Sequence, residues 1–376
     1  MIPPKELTQH ITQQNIHFFT GVPDSLLKEF LAYITDTLPP ENHVIAANEG
    51  AAIGLAIGHY IATSQVPLVY LQNSGIGNCI NPLLSLAYPY QIPMLLLIGY
   101  RGEPGTKDEP QHIIQGDVLC PLLDAIKLPY HILPTDLENA KDCINTALSN
   151  TKKNNHPEAI IVKKNTFSTY KSQKKPSPYP MSREKAISII TNQLNKNAIY
   201  IGTTGKTSRE LFELRSQTNT PHDHDFLTIG GMGHCNQIAL GIAREHPNKQ
   251  VVCIDGDGAI LMHMGSLPLI GTSNQKNLIH IVINNGCHES VGGQQTVGFD
   301  INLNQIASGS GYKIIKNVKT EEELTTCLKT LPEKSGPYFI EVKVKPGSRS
   351  NLGRPTETPL TNKTNLMTTI QNKIKE

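Results

Sequence analysis

The chain carries almost no excess charge. Its 34 lysines and arginines face 32 acidic residues, a formal net charge of +2. A nucleic-acid binder built on a basic surface is thereby disfavoured, because such proteins show a strong positive footprint. Charged residues are only 18% of the chain against 38% apolar, which excludes a charge-rich disordered polymer. Long apolar runs are also missing. The best, Ile92–Gly99, falls far short of the roughly 18 residues that suggest a membrane span. The seven cysteines are odd in number and contain no C-x-x-C pair, so a disulfide framework or a zinc site is not expected and a reducing compartment is. The segment Met1-Ile2-Pro3-Pro4-Lys5-Glu6 lacks the basic-then-apolar layout of a signal peptide. The 29 glycines and 26 prolines follow no collagen period, and no 20–50-residue repeat or low-complexity tract stands out. These absences leave a soluble, cytoplasmic, globular protein as the expectation.

What is present fits about two domains, since the chain has 376 residues and a domain takes roughly 100–200. A polar stretch around 168–182 has no apolar periodicity and carries Pro176, Pro178 and Pro180 in alternate positions. It reads as a linker, giving a first domain over 1–167 and a second over 183–376. Each half alternates short apolar runs with amphipathic segments. His17–Thr20, His43–Ala47, Leu68–Gln72 and Met94–Gly99 read as strands in the first half. Ala198–Ile201, Val251–Asp255, Leu278–Ile283 and Tyr338–Lys345 read so in the second. Asp24 is placed to cap a helix with Leu26, Leu27, Phe30, Leu31 and Ile34 on its apolar face, and a helix of small residues spans Gly50–Gly58. Strands alternating with helices predict an α/β fold of two open parallel sheets, with ligands beyond the carboxyl ends of the strands.

Polar residues do stand at those ends. Val251-Val252-Cys253-Ile254 runs into Asp255-Gly256-Asp257-Gly258, followed by Ala259, and the next strand ends in Asn284-Asn285-Gly286. A carboxylate and an amide on successive strand ends suit a shared Mg²⁺, which prefers about six oxygens and often shares them with phosphate. Gly256 and Gly258 let backbone amides approach an anion. Thr203 and Thr204 follow another strand and offer hydroxyls to a diphosphate. Gly205-Lys206-Thr207 imitates a nucleotide-binding loop, but Tyr200 occupies the place of its first glycine. Gly75-Ile76-Gly77 imitates a dinucleotide fingerprint, but Ile80 occupies the place of its third. Glu49 follows the strand Val44-Ile45-Ala46-Ala47; it reads either as a helix-start charge or as a desolvated carboxylate with a raised pKa.

Gly-Asp-Gly at 256–258 followed by Asn284-Asn285 resembles the signature of thiamine diphosphate enzymes. The resemblance implies two thiamine diphosphate-binding-type domains, a pyrimidine-binding one first and a diphosphate- and Mg²⁺-binding one second. It implies that Asp257, Asn285 and the carbonyl of Cys287 hold Mg²⁺, and that Thr203, Thr204, Gly231, Gly256, Gly258 and Ala259 lie against the cofactor. Met232 matches the bulky residue that buttresses the bent cofactor, and Glu49 matches the glutamate that hydrogen-bonds the pyrimidine. Gly75 and Asn78 fall in a region that contacts cofactor or substrate. The family usually places the two ends of its cofactor on different subunits, so a homodimer or higher homo-oligomer is expected, with sites at the subunit interface.

Over roughly 15–365 the resemblance is nearest to the phosphonopyruvate and sulfopyruvate decarboxylase branch, on stretches such as Gly21-Val22-Pro23-Asp24-Ser25, His288-Glu289-Ser290-Val291-Gly292-Gly293 and Gly347-Ser348-Arg349-Ser350-Asn351. Asn351 stands where an aspartate is expected. The implied reaction converts 3-phosphonopyruvate to phosphonoacetaldehyde and carbon dioxide. Sulfopyruvate, or another small 2-oxo acid, is the alternative substrate, and a non-catalytic thiamine diphosphate scaffold the distant one. Ser25, Arg101, Lys107 and His112 are candidates to hold the anionic group, with Arg349 and Arg354 behind them. Asp24 and His288 are candidates for proton transfer, each with a structural role as the competing reading.

Overall fold

A computed structural model describes residues 1–172 and 176–372. The chain divides into two compact units, one of Met1–Lys175 with Ser290–Gln294, the other of Pro176–Glu289 with Gln295–Glu376. The first unit holds six strands: β1 (Phe19–Gly21), β2 (His43–Ile45), β3 (Leu68–Gln72), β4 (Leu95–Gly99), β5 (Tyr130–Ile132) and β6 (Glu158–Val162). They form one sheet in the order β2-β1-β3-β4-β6-β5, every pairing parallel. The second unit holds β7 (Ile199–Gly202), β8 (Asp225–Leu227), β9 (Val251–Gly256), β10 (Leu278–Asn284), β11 (Ile314–Val318) and β12 (Tyr338–Lys343), ordered β11-β12-β10-β9-β7-β8 and again all parallel. Counted within its own unit, each sheet runs 2-1-3-4-6-5, so the two units share one topology.

That order fixes where chemistry can sit. The strand order reverses between β1 and β3 in the first sheet and between β7 and β9 in the second, and such switch points open a crevice at the carboxyl ends. Helices cover both faces of the central strands, so β4 and β10 are buried at every residue, His280 and Asn284 of β10 included. Each sheet has a separate apolar cluster on either face, with Phe19, Phe30 and Leu97 on one side of the first and Val69, Leu96 and Ile161 on the other.

The structure adds four strands that the periodicity does not single out: β5, β6, β8 and β11. It also moves the start of the helix expected after Asp24. That helix runs Lys28–Thr37 with Leu27 at its N-cap, and Asp24 makes no cap bond. Asp24 Oδ2 instead accepts from the Leu26 amide at 2.9 Å, closing a turn before the helix. The described part of the proline-bearing stretch is anchored rather than free. The Tyr170 amide donates to Glu29 at 2.7 Å, while Ser182 caps the helix Arg183–Gln193; residues 173–175 lie outside the described residues.

Candidate active site

In the first unit, Asn48 caps the helix Glu49–Thr63 by accepting from the Ala51 amide at 2.9 Å, which sets Glu49 as the first helical residue beyond β2. The Glu49 side chain is buried, 5% exposed, and Asn78 Nδ2 donates to its Oε2 at 2.7 Å. Gly75 lies directly beneath: a Cβ there would stand 2.3 Å from Glu49 Oε1. Burial raises the Glu49 pKa and the Asn78 bond holds it back. Glu49, Gly75 and Asn78 thus come together from β2 and β3; Glu49 is both the first residue of its helix and a desolvated carboxylate.

A second group surrounds the carboxyl ends of β1 and β4. Asp24 is wholly buried, its Oδ1 has no partner among the described residues, and burial raises its pKa to about 6. Arg101 NH1 donates to Ser25 Oγ at 2.7 Å, and its Nε donates to Asp108 Oδ2 at 2.8 Å beside a second bond from NH2 to Oδ1. Asp108 also accepts from the amides of Gly102 and Glu109 and meets His112 Nδ1 at 2.9 Å. Against the upward push of burial, Arg101 and His112 hold its carboxyl well below the usual range. Burial lowers the His112 pKa, leaving Arg101 as the permanent cation of this group, its charge countered by Asp108. Ser25, Arg101 and His112 therefore cluster, whereas Lys107 is exposed and bonded to none of them. Asp108, which the sequence did not single out, is the hub of this loop.

In the second unit β9 runs straight into the short helix Asp257–Met262, and β10 ends at Asn284. The Asn285 amide N–H donates to Asp257 Oδ1 at 3.3 Å. Thr296 Oγ1 donates to Asp257 Oδ2 and accepts from the Gly298 amide at 3.1 Å. Asn284 turns inward and clamps the same loop, its Nδ2 donating to Gly298 O at 2.6 Å and Glu341 Oε1 at 2.8 Å. Asn285 Nδ2 donates to Glu289 at 3.0 Å, while its Oδ1 accepts from the Cys287 amide at 3.2 Å. Against burial, Arg183 and Lys206 hold Glu289 down at about 2. Burial without a cation partner raises Asp257 to about 6. A buried carboxylate without a cation partner, bonded to the backbone of a residue that carries an amide oxygen, offers oxygen donors of the kind that fit a hard cation.

Around that pair, a Cβ at Gly258 would stand 3.0 Å from the His288 ring and 3.4 Å from the Met232 methyl, so two further predicted residues converge on this glycine. Burial lowers His288 to about 4, so its ring is neutral. The Gly231–Met232 turn leads into the helix Cys235–Glu245. Thr203 is buried at the end of β7 with its amide on Ile254 O, and Thr204 is half-buried beside it. Gly256 lies across from the Thr203 methyl, and Ala259 is buried in the helix that follows. The Cys287 thiol is pushed up to about 12 by burial, so only its backbone is of interest. Arg349 pairs with Glu184 and Glu213 and is occupied within its own unit. Cys235, Cys253 and Asp255 also approach one another, but Asp255 is already bonded to His280, Asn236 and the Gly256 amide.

Thr296, Glu289 and Asp108 were given no role by the sequence, and Asn284, seen there only as part of the strand-end pair, clamps the loop instead of facing the site. Glu289 stood four residues beyond Asn285, a spacing that carries no weight until the loop is seen to fold back.

The model of the N-terminal thiamine pyrophosphate-binding domain of thiamine pyrophosphate enzymes matches residues 5–124, and that of the C-terminal domain matches 201–342. A phosphonopyruvate decarboxylase of Streptomyces viridochromogenes is 30% identical, the match covering 96% of this chain and 92% of the relative. One from Streptomyces hygroscopicus is 29% identical over the same shares. A sulfopyruvate decarboxylase of Methanosarcina acetivorans is 25% identical, with 92% of each chain covered.

Proposed function

This chain belongs to the thiamine pyrophosphate-dependent decarboxylase family, and on that premise we propose that it converts 3-phosphonopyruvate to phosphonoacetaldehyde and carbon dioxide with Mg²⁺ as companion ion. The observation that carries the reading is the pairing of chemistry with unit: a buried glutamate on Asn78 in the first, a buried Asp257 beside Asn285 in the second. Bound thiamine diphosphate supplies a carbon nucleophile and a sink for the electrons that carbon dioxide leaves behind. In this reading Glu49 holds a proton against the pyrimidine. Asp257, Asn285 and the Cys287 carbonyl hold Mg²⁺, and Thr203, Thr204, Gly231, Gly256, Gly258 and Ala259 surround the diphosphate. Met232 supports the cofactor's bend, while Gly75 and Asn78 position Glu49. Asp24 and His288 move protons to and from the reacting carbon. Burial raises Asp24 to about 6, close to the pH at which it would act, and keeps the His288 ring neutral, able to accept a proton.

Ser25, Arg101 and His112, with Lys107 from the same loop, are proposed to hold the substrate's anionic group. The carboxylate to be lost belongs in a drier place, where shedding its charge is favoured. One observation favours sulfopyruvate as the second reading: the Arg101 charge is already countered by Asp108, a lean set of cations for a doubly charged phosphonate. Supplying each 2-oxo acid with thiamine diphosphate and Mg²⁺ and measuring aldehyde separates the two. Turnover of sulfopyruvate alone removes the phosphonate reading, and turnover of neither removes both.

The reading includes a homodimer or higher homo-oligomer that completes the site. It is supported by apolar residues left exposed in the first unit on and near the elements that carry Glu49, Asn78 and His112, among them Ile61 at 69%, Tyr90 at 71% and Ile114 at 72%. A cytoplasmic setting is supported by seven free cysteines. Among the described residues no helix is long and apolar enough to cross a membrane.

A further inference from the structure

We infer that Glu289 is a positioning residue for the metal: it fixes which end of the Asn285 side-chain amide is offered to the cation. The inference rests on the reading above that Asp257 and Asn285 hold Mg²⁺, and it adds a residue which that reading does not need. An ionised carboxylate only accepts hydrogen bonds, so the Asn285 group facing Glu289 Oε2 at 3.0 Å has to be its NH₂. The side-chain oxygen is thereby held on the opposite side, where the Cys287 amide takes one of its lone pairs and the other is open to a ligand. An amide rotated by half a turn presents N–H groups, which cannot bind a cation.

Glu289 is itself held from two directions. Arg183 NH1 donates to its Oε2 at 2.7 Å and Lys206 Nζ to its Oε1 at 2.9 Å. Arg183, 5% exposed, is in turn gripped by both oxygens of Glu210 at 2.7 Å each. Arg183 and Lys206 are the first residues of their helices, so the chain Glu210–Arg183–Glu289–Asn285 starts from two rigid elements and ends on a proposed ligand. Partners one shell out from a metal orient its ligands, and their loss typically weakens metal binding by about 10–100-fold.

Mn²⁺ serves as a spectroscopic probe for Mg²⁺. Free Mn²⁺ is followed by electron paramagnetic resonance while the full-length protein is titrated with thiamine diphosphate present. Glu289→Ala is expected to bind Mn²⁺ about 10–100-fold more weakly than the parent. Added to Asn285→Ala, the same change is expected to cost little more, because Glu289 acts through Asn285. Binding by Glu289→Ala within about threefold of the parent, or losses that simply add in the double variant, would overturn the inference. If circular dichroism shows Glu289→Ala unfolded, Glu289→Met, which fills the volume without an acceptor, replaces it under the same two criteria. Failure of the parent itself to take up Mn²⁺ with thiamine diphosphate would instead remove the underlying metal reading, an outcome visible before any variant is made.

Discussion

The side-chain amide of Asn78 donates to Glu49 Oε2 at 2.7 Å, so the orientation of this carboxylate is set by a helix other than the one that carries it. Two consequences can be measured. Glu49→Gln keeps the shape and loses the proton chemistry. Turnover is expected to fall by about 10²–10⁴-fold while calorimetry still detects thiamine diphosphate binding. Asn78→Ala removes the bond that opposes the effect of burial on Glu49. The alkaline limb of the kcat/KM–pH profile, where Glu49 would lose the proton it holds, should then move to higher pH. A limb that stays put would detach Glu49 from that limb.

Thr296 ties Asp257 to the loop that carries Gly298, and its hydroxyl serves as donor and acceptor at once. Thr296→Val keeps the volume and leaves Asp257 Oδ2 and the Gly298 amide short of a partner. Unsatisfied buried groups of this kind cost about 1–3 kcal/mol each, which urea titration resolves. The same variant should need more Mg²⁺ for half-maximal activity. Prolonged chelation should silence the parent, and Mg²⁺ should restore it. Activity that survives chelation with the metal removed, as checked by elemental analysis, would contradict the assignment of Asp257 and Asn285.

Much of this was legible in the sequence because the signals were local. β3, β4, β9 and β10 are mostly apolar, polar only at Gln72, Asp255, His280 and Asn284, and parallel strands covered on both faces tend to read that way. β5 and β8 are three residues long, too short to show a period, and the buried run of β6 begins with a charged residue, Glu158, that only its His131 partner at 3.1 Å explains. Glu49, Asp257 and Asn285 stand at strand ends and could be found there. Their supports could not. Thr296 is 39 residues from Asp257, and Asn78 is 29 from Glu49. Asp108 is only seven residues from Arg101, yet nothing in an acidic run says which member turns inward. Bonds of this kind are made by the fold and leave no period in the chain.

Asp108 accepts two bonds from Arg101, two from backbone amides and one contact with His112, so it orders the whole group proposed to face the substrate. Asp108→Asn keeps the volume but replaces one acceptor oxygen by a donor that opposes Arg101. A hydrogen bond to a charged group is worth about 1.5–3 kcal/mol, roughly a 10–100-fold change in an equilibrium. KM for the 2-oxo acid is expected to rise by about that factor, with kcat changed less, because the group holds the substrate rather than the reacting carbon. A fall in kcat at constant KM would assign the cluster to the chemical step instead.

Asp24 gives a pH test that needs no substrate. Its carboxyl is wholly buried, one oxygen lacks a partner among the described residues, and burial raises its pKa from 3.8 to about 6. The folded protein therefore binds this proton more tightly than the unfolded chain. Below about pH 4 both states hold it and the group is neutral toward folding. As pH rises from about 4 to 6 the unfolded chain releases it first, and stability falls; above that the full penalty applies, on the order of 3 kcal/mol. Asp24→Asn retains an acceptor for the Leu26 amide and has nothing to ionise. It should be more stable than the parent, with an advantage that grows by about 1–2 kcal/mol between pH 5 and pH 8 in paired urea titrations. An advantage independent of pH would mean that Asp24 ionises as easily folded as unfolded. In that case burial does not tune it, and the case for Asp24 as a proton carrier loses its physical basis.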